Sequence, residues 1–372
     1  LHLGPQASLR FTGRNQIFDI GSSLICEGQV VSVKQPGGQS GASNIIRGDF
    51  SAASVLVGGR LLRFDGNYTV PEFIVNDGEV GGDGTLTMQK LVLIKNVTFI
   101  GAGTNRVFGV TGWSNYVVLK HTRTFENFGH IIVQDEGQLV VSDTPRFFNR
   151  AGATLEFRND NEFIDSRTIP LVNEGTLLKS AGDGQTTIAG KITNAGTIEL
   201  RTGRLQLDNN NPILQTAGLL WLNGGVLRGG ATISGGVFRG NTTGAESLRS
   251  LNLSGTSELE IAAPGNEIAK LAAASFGLSA TCVTHLDIAG AATAGVDYDE
   301  LFVNAGPGLA GRLNLRLRNG YQPPLGVKFT VLRWGGGRSG SFDTVTGEGL
   351  TGGRKWKINY EATQATVEAV TE

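Results

Sequence analysis

One stretch of the sequence carries closely spaced carboxylates that could do acid–base chemistry. The four residues, separated by 4, 2 and 3 positions, are Glu156, Asp160, Glu162 and Asp165. Two carboxyl groups about 5 to 10 Å apart can cleave a glycosidic bond, one as the general acid and the other as a nucleophile or base. This gives the hypothesis of a polysaccharide hydrolase or lyase, with Arg158 and Arg167 nearby. The alternative interpretation is a polar loop over residues 158–162 that protrudes from one turn of the fold.

A second acidic group consists of Asp297, Asp299 and Glu300. Their oxygen atoms are of the kind that binds calcium. The alternative, which we favour, places Asp297 and Asp299 on either side of Tyr298, on the solvated face of one strand. A calcium-binding β-roll is not indicated at Gly81–Leu86, because its sixth position holds Leu86 where that repeat needs Asp.

Other motifs with a chemical meaning lack the required context. Gly306–Gly311 fits the bare dinucleotide-binding pattern, but the alternating strand Arg312–Leu317 follows it where a helix is needed, so we interpret it as a turn. No Gly-x-Ser-x-Gly motif supports a serine nucleophile. Histidines occur without metal-ligand spacing at His2, His121, His130 and His285. We therefore predict no catalytic, metal-binding or cofactor-binding residues, and no cofactor.

Tryptophans suggest a third hypothesis, a glycan-binding module, because exposed indole rings can stack on sugars. The four are Trp113, Trp221, Trp334 and Trp356. Trp221 lies in the apolar run Leu219–Leu222 and is predicted to be core. Trp113, beside Gly112 and Ser114, is the predicted exposed platform.

Composition narrows the class of protein. Glycine accounts for 55 of 372 residues, hydrophobic residues for 40% and charged residues for 17%, which is typical of an all-β protein with many turns. A net charge of −1 excludes capture of nucleic acid or an anionic membrane by bulk charge. No apolar run approaches the roughly 20 residues of a membrane span, so we predict no membrane insertion. Two cysteines, Cys26 and Cys282, are too few for a disulfide framework, and we expect both to be free and buried, or to meet between molecules stacked head to tail.

A repeated Asn-x-Gly unit indicates the architecture. Its copies begin 22, 24, 21 and 22 residues apart, at Asn127-Phe-Gly129, Asn149-Arg-Ala-Gly152, Asn173-Glu-Gly175, Asn194-Ala-Gly196 and the degenerate Thr216-Ala-Gly218. Such a period, with short alternating strands between Gly or Asn, is typical of a β-solenoid. Glycine would supply the unusual backbone angles of each corner, and asparagines in register would form a hydrogen-bonded ladder.

These patterns predict an all-β chain in two parts. Residues 1–250 form a parallel β-solenoid, or β-helix, with coils of about 22 residues and a loop at Gln35 to Ser43. Residues 251–372 form a C-terminal antiparallel, β-sandwich-like capping or assembly domain. Its predicted strands are Thr284–Ile288, Asp299–Val303, Gly311–Leu317, Lys328–Leu332, Lys355–Tyr360 and Ala365–Val370. Helical spacing predicts one short helix at Asn266–Phe276.

The repeat units and the segments that follow them resemble a known group of proteins. The segments are Gly295–Val303, Leu309–Leu315, Pro324–Leu332, Gly340–Phe342 and Trp356–Tyr360. The chain resembles the repetitive β-helical ectodomains of bacterial surface proteins, such as autotransporter passenger regions and filamentous-haemagglutinin-like adhesins. The resemblance covers most of the chain and is strongest over residues 120–372. It implies a secreted or surface-displayed rod used for adhesion, spacing or matrix building, as a mature or independently secreted piece.

Our expectation is an extracellular or cell-surface building block of a layer, fibre or matrix. It would pair with itself through strand edges, head to tail, with Ala7–Phe11 or Ala365–Val370 as an exchanged strand. Surface polysaccharide is a further expected partner, and the polysaccharide-cleaving enzyme and the glycan-binding module remain the alternatives. Glycosylation sequons, which matter in a eukaryotic secretory pathway, occur at Asn67, Asn96, Asn241 and Asn252.

Overall fold

The computed structural model describes residues 1–12, 15–34, 43–167, 169–208, 211–242 and 248–372. Apart from Ser43, the loop predicted at Gln35 to Ser43 lies outside these described residues. Contacts divide the chain into two compact units, Leu1–Lys191 and Ile192–Glu372. The predicted domain boundary at residue 250 is not tested by this division and stays a prediction.

Most strands before Lys191 have two to four residues, as expected where a corner interrupts the chain every few residues, but four of them have 9 to 11. They are β1 (His2–Leu3), β2 (Ser8–Phe11), β3 (Gln16–Phe18), β4 (Ser23–Val33), β5 (Ser43–Ile46), β6 (Asp49–Gly58), β7 (Leu61–Phe64), β8 (Tyr68–Asn76), β9 (Gly78–Gly81), β10 (Thr85–Leu93), β11 (Val97–Phe99), β12 (Thr104–Val107), β13 (Val110–Trp113), β14 (Tyr116–Leu119), β15 (Thr124–Asn127), β16 (His130–Val133), β17 (Gln138–Val141), β18 (Arg146–Asn149), β19 (Thr154–Phe157), β20 (Glu162–Ile164), β21 (Pro170–Asn173), β22 (Thr176–Lys179) and β23 (Gln185–Ile188).

The strands from Lys191 onward continue this pattern and lengthen toward the C-terminus. They are β24 (Lys191–Asn194), β25 (Thr197–Leu200), β26 (Arg204–Leu207), β27 (Ile213–Gln215), β28 (Leu219–Leu222), β29 (Val226–Arg228), β30 (Gly230–Ile233), β31 (Val237–Gly240), β32 (Ser250–Leu253), β33 (Glu258–Ile261), β34 (Lys270–Ala273), β35 (Phe276–Leu278), β36 (Val283–Ile288), β37 (Glu300–Val303), β38 (Gly308–Leu309), β39 (Arg312–Leu317), β40 (Lys328–Trp334), β41 (Ser339–Gly340), β42 (Thr344–Glu348), β43 (Arg354–Tyr360) and β44 (Gln364–Thr371).

In the first unit, successive coils pair in parallel. One sheet runs β4, β6, β8, β10, β12, β15, β18 and β21, with β1 and β2 both pairing with β4. A second sheet runs from β3 through β5, β7, β9, β11, β14, β17 and β20 to β23. The third consists of β13, β16, β19 and β22. A chain that visits three parallel sheets in turn is a β-solenoid, as predicted.

The second unit repeats this arrangement and ends in a mixed sheet. Parallel ladders join β27, β30, β32, β35, β38 and β41, and likewise β25, β28, β31, β33, β36, β39 and β42. A separate sheet has the order β34, β37, β40, β44, β43, in which β44 runs antiparallel to both β40 and β43. Trp356 of β43 is buried and lies where a side chain at Gly347 of β42 would stand, so this hairpin closes the apolar interior at the last coils.

The predicted fold class is confirmed. Over both units there are about 12 solenoid turns, 58% of the residues are in strands, and the antiparallel part of the last sheet fits the cap. Of the six strands predicted for that cap, β36, β37 and β39 form only parallel ladders, and β40 pairs in parallel with β37 as well as antiparallel with β44. The helix predicted at Asn266–Phe276 is wrong, because the described residues contain no helix and this segment supplies β34 and the start of β35. Accordingly, no helix within the described ranges is long and apolar enough to cross a membrane.

The interior is built from columns of side chains, one from each coil. Phe125 and Phe147 occupy register positions on adjacent coils, and their rings stack with centroids 5.3 Å apart. Both are fully buried, while the next residue, Phe148, faces outward beneath the guanidinium of Arg150. Parallel pairing in register brings like residues together at each level, so apolar residues one period apart form a continuous core.

Glycine in the Asn-x-Gly unit has the predicted left-handed backbone at Gly152 and Gly218, with φ of 82° and 74°, but a different reason at Gly175. Gly175 does not need a left-handed backbone; a Cβ atom there would overlap the carbonyl oxygens of Ala153 and Arg150 on the preceding coil. Close approach of successive corners therefore fixes this glycine.

We predict that Phe147→Ala lowers the free energy of unfolding by about 3 to 5 kcal/mol, because it leaves a cavity inside the column. The matched control is Phe148→Ala, one residue along on the outer face, which should cost less than about 1.5 kcal/mol. Urea unfolding followed by circular dichroism measures both. Equal losses for the two variants would contradict the assignment of inward and outward faces.

Candidate functional site

Glu156, the first of the predicted carboxylates, is buried on β19 inside a set of polar contacts. Its oxygens accept hydrogen bonds from Arg158 Nε at 2.7 Å and Ser180 Oγ at 2.5 Å, and one lies 2.7 Å from His130 Nε2. Burial acts to raise the pKa of Glu156, but the bonds from Arg158, Ser180 and His130 outweigh it and lower the pKa to about 2. The carboxylate is thus held in its ionised form.

Asp160 belongs to a different constellation. The ammonium of Lys179 is fully buried and donates to Asp160 Oδ1 at 2.8 Å, to Asn159 O at 2.8 Å and to Ala181 O at 2.6 Å. Burial tends to raise the pKa of Asp160, whereas the Lys179 ammonium and the Gly184 backbone lower it below its usual value. All three protons of the lysine have acceptors, so this is a structural clamp at a corner.

The remaining two carboxylates, Glu162 and Asp165, are exposed. The predicted polar loop over 158–162 leads from β19 to the start of β20, and all of its residues except Asn159 are exposed. Asn159 is 7% exposed, and its amide donates to the carbonyl oxygens of Asp135 and Gly137 on the preceding coil, at 3.2 and 3.3 Å. The segment is a corner fastened to its neighbour.

Two of these four carboxylates lack the property that a catalytic acid needs. A general acid at neutral pH requires a carboxyl group with a raised pKa. The pKa values of Glu156 and Asp160 are both lowered, each by its own basic partner. Glu156 and Asp160 are therefore unsuited to be the general acid of the polysaccharide-cleaving hypothesis.

The acidic side chains at residues 297–300 also have partners within the protein. Asp299 is fully buried, not solvated as predicted, and its two oxygens accept 2.7 Å hydrogen bonds from the backbone N–H groups of Ala269 and Asp287. Burial raises the pKa of Asp299 well above its usual value. Glu300 pairs with Arg333 at 2.6 Å and with Lys270. Within the described ranges, no three His, Cys, Asp or Glu side chains are grouped to hold a metal ion.

The predicted roles of two tryptophans are reversed. Trp113 is fully buried, so it is not an exposed platform. Its ring packs at centroid distances of 6.0, 6.3 and 5.7 Å on Phe125, Phe147 and Phe163. Trp221, the predicted core residue, is half-buried on an outer face in register with Glu199 and Arg239. Strand alternation decides both cases, since neighbouring residues point to opposite sides.

The predicted asparagine ladder is confirmed. Asn127 Nδ2 donates to Asn149 Oδ1 at 2.8 Å, and Asn149 Nδ2 donates to Asn173 Oδ1 at 2.7 Å. In the second unit, Asn194 Nδ2 donates to Gln215 Oε1 at 3.0 Å, so glutamine takes the same role. All five side chains are fully buried, and each amide offers both a donor and an acceptor along the stacking direction.

The second unit holds a network of charges that sequence reasoning missed. Arg316 binds Asp287 at 2.6 Å and Glu260 at 3.1 Å, and Arg318 binds Asp287 at 2.8 Å. A groove of about 530 Å³ lies beside it, lined by Gly265, Asn266, Glu267, Ile268, Leu317, Arg318 and Asn319. The signal was present in the alternation of Arg312–Leu317, which places Arg316 on the outward face, in register with Asp287.

The structure also bears on the predictions for the cysteines, the histidines and the glycine motif. Cys26 and Cys282 are both free and buried, as expected. The histidines His130 and His285 each contact one glutamate, Glu156 and Glu258 respectively. After the Gly306–Gly311 motif the chain forms strand β39, so the helix that a dinucleotide site needs is missing there.

Fold and site together define a β-helical repeat protein. No protein-family model matches the chain, and neither does any curated protein.

We predict that Glu156→Gln lowers the free energy of unfolding at neutral pH by about 3 kcal/mol, the equivalent of a pKa lowered from 4.5 to about 2. A depressed folded pKa stabilises above the unfolded pKa, so the difference from wild type should shrink as the pH falls from 4.5 toward 2. Chemical denaturation across that pH range measures it. Exposed Glu162→Gln is the matched control, and an equal, pH-independent loss in both variants would argue against the Glu156 contacts.

We predict that Asn149→Ala costs about 2 to 4 kcal/mol, because it removes the bond to Asn173 Oδ1, the bond from Asn127 Nδ2 and the bond to the Thr176 backbone carbonyl. Exposed Asn96→Ala is the control and should change stability by less than about 0.5 kcal/mol. Thermal unfolding of the two variants side by side makes the comparison. The same melting temperature for both variants would show that the ladder does not stabilise the fold.

Proposed function

We propose that this chain is an extracellular or cell-surface β-solenoid that serves as a structural or adhesive building block, as its resemblance to β-helical adhesin ectodomains implies. One observation carries the proposal: the charged groups of the described walls are largely engaged in contacts between successive coils. Arg150 joins Glu126 of the coil before it to Glu174 of the coil after it. Arg106, one coil further back, binds the same Glu126 at 2.8 Å.

These contacts favour a mechanical role over a chemical one. Burial opposes ionisation of Glu126, but its hydrogen bonds to Arg150 and Arg106 prevail and lower its pKa. Such a carboxylate stays charged and paired over the neutral pH range. Networks in which several charges share partners stabilise more than isolated surface pairs do. The wall is therefore braced along the stacking direction.

Self-association would use the first coil. Strand β2 pairs on one side, with β4, and no other described strand pairs with it. Nearby Ile17 and Ile20 expose 54% and 84% of their surface. The alternative exchanged strand, Ala365–Val370, is held on both sides by β40 and β43 and would lose two ladders on leaving. We therefore assign edge pairing to Ser8–Phe11, with a second copy of the chain as the partner.

The orientation of the β2 backbone gives a sharp test. Gln29 N donates to Ala7 O, so Ala7 and Leu9 face β4 and the N–H of Arg10 points to the open side. We predict that Arg10→Pro abolishes self-association while the fold is kept. Arg10→Lys, which retains both the N–H and the charge, should associate like wild type.

Light scattering with negative-stain electron microscopy over a concentration series measures this association. Wild type and Arg10→Lys should form joined rods whose fraction rises with concentration, and Arg10→Pro should remain monomeric. Monomers of wild type at every concentration, or equal association of all three proteins, would overturn edge pairing through β2.

A further inference from the structure

The outer wall of the first unit contains a groove of about 420 Å³. It spans three consecutive coils, because it lies where β15, β18 and β21 begin. Its lining residues are Thr122, Thr124, Thr144, Pro145, Arg146 and Pro170. Thr124 and Arg146 are direct register partners, so their side chains stand one strand spacing, about 4.8 Å, apart.

Arg146 differs from three neighbouring arginines, which are paired. Arg106 and Arg150 bind Glu126, and Arg158 binds Glu156. Arg146 is exposed, and its guanidinium makes no hydrogen bond or ion pair with any residue in the described ranges. Its five N–H donors are therefore directed to solvent in the groove.

The rest of the lining suits a sugar. The hydroxyl groups of Thr122, Thr124 and Thr144 also have no hydrogen-bond partner among the residues that the structure describes, so each can donate and accept. Pro145 is buried and Pro170 half-buried. Their rings offer apolar surface without an N–H group, against which the C–H face of a pyranose ring can pack. Sites for small ligands combine such apolar surface with a few convergent polar groups.

The charges around the groove favour an anion. None of its six lining residues is acidic. The neighbouring carboxylate of Asp143 accepts a hydrogen bond from the backbone N–H of His121 at 3.0 Å, and Glu126 is bound by two arginines. An unpaired guanidinium recognises carboxylate and sulfate groups through two parallel N–H bonds. The net charge of −1 argues against long-range capture of a polyanion such as nucleic acid, so recognition has to be local.

We propose that this groove binds a segment of an acidic polysaccharide, with Arg146 taking a carboxylate or sulfate group and the threonines taking sugar hydroxyls. The site goes beyond the building-block role, because it lies on the outer wall of the first unit and ligand binding there needs no self-association. Binding by the monomeric Arg10→Pro variant is accordingly expected to equal that of wild type, which separates failure of this proposal from failure of edge pairing.

Isothermal titration calorimetry at low salt with three probes tests the proposal: oligogalacturonate for carboxylate, dextran sulfate for sulfate, and neutral dextran. Wild type should bind at least one acidic probe and not the neutral one. Arg146→Ala should weaken that binding at least tenfold, while Arg146→Lys should lose less. Lys95→Ala, which removes an exposed cation elsewhere on the first unit, is the control and should bind like wild type.

Any of the following three results would overturn the proposed binding site. If neutral dextran bound as well as the acidic probes, the groove would not recognise an anionic group. Equal weakening by Arg146→Ala and Lys95→Ala would show non-specific charge attraction. No binding of either acidic probe would remove the ligand class altogether. Because the Arg146 guanidinium makes no hydrogen bond or ion pair with the described residues, its variants should keep the wild-type melting temperature, and this is checked first.

Discussion

Parallel pairing of each coil with the next, in register, is the constraint on which the structure depends. It places every side chain directly above an equivalent one about 4.8 Å away, so the interior can hold only what stacks. Phenylalanine satisfies this by ring stacking, as Phe125 does on Phe147. A buried polar side chain must find its partners in the same column. Asparagine does so because its amide donates in one direction and accepts in the other, which explains the ladder from Asn127 to Asn173.

The corners pose the opposite problem, since the chain turns there and backbone carbonyl groups lose their sheet partners. Two buried cations solve it. Arg123 donates to Gly82 O at 2.6 Å and to Ile100 O at 3.3 Å on the two preceding coils, and burial lowers its pKa to about 10. Lys179 serves the corner near Asn159 in the same way. Burying a charge is costly unless its donors find acceptors. The backbone carbonyls of the corners supply most of these acceptors, although Arg123 Nε has no partner among the described residues.

The sequence predicted the period, the parallel solenoid, the capping hairpin and the asparagine ladder, because all of these follow from local alternation and spacing. It failed where the face of a strand had to be assigned from composition. Trp113 lies between Gly112 and Ser114, yet alternation turns it inward, whereas the apolar neighbours of Trp221 concealed an outward position. The spacing of residues 266–276 imitated a helix because two short strands and a corner carry their apolar residues at similar intervals. The partners of Glu156 on other coils, His130 and Ser180, are 26 and 24 residues away and invisible to a local pattern.

The same columns distinguish the arginines of the outer wall. Arg150 stands between Glu126 and Glu174 because the carboxylates occupy the coils on either side of it. The register neighbour of Arg146 is Thr124, and Pro170 lies at the next level, so neither of these two positions carries a counter-charge. Matching along the columns therefore leaves the Arg146 guanidinium without a partner among the described residues, beside hydroxyl groups in the same condition. In a fold where charges are matched coil by coil, an unmatched cation in a groove is the position at which a ligand from outside the chain can supply the opposite charge.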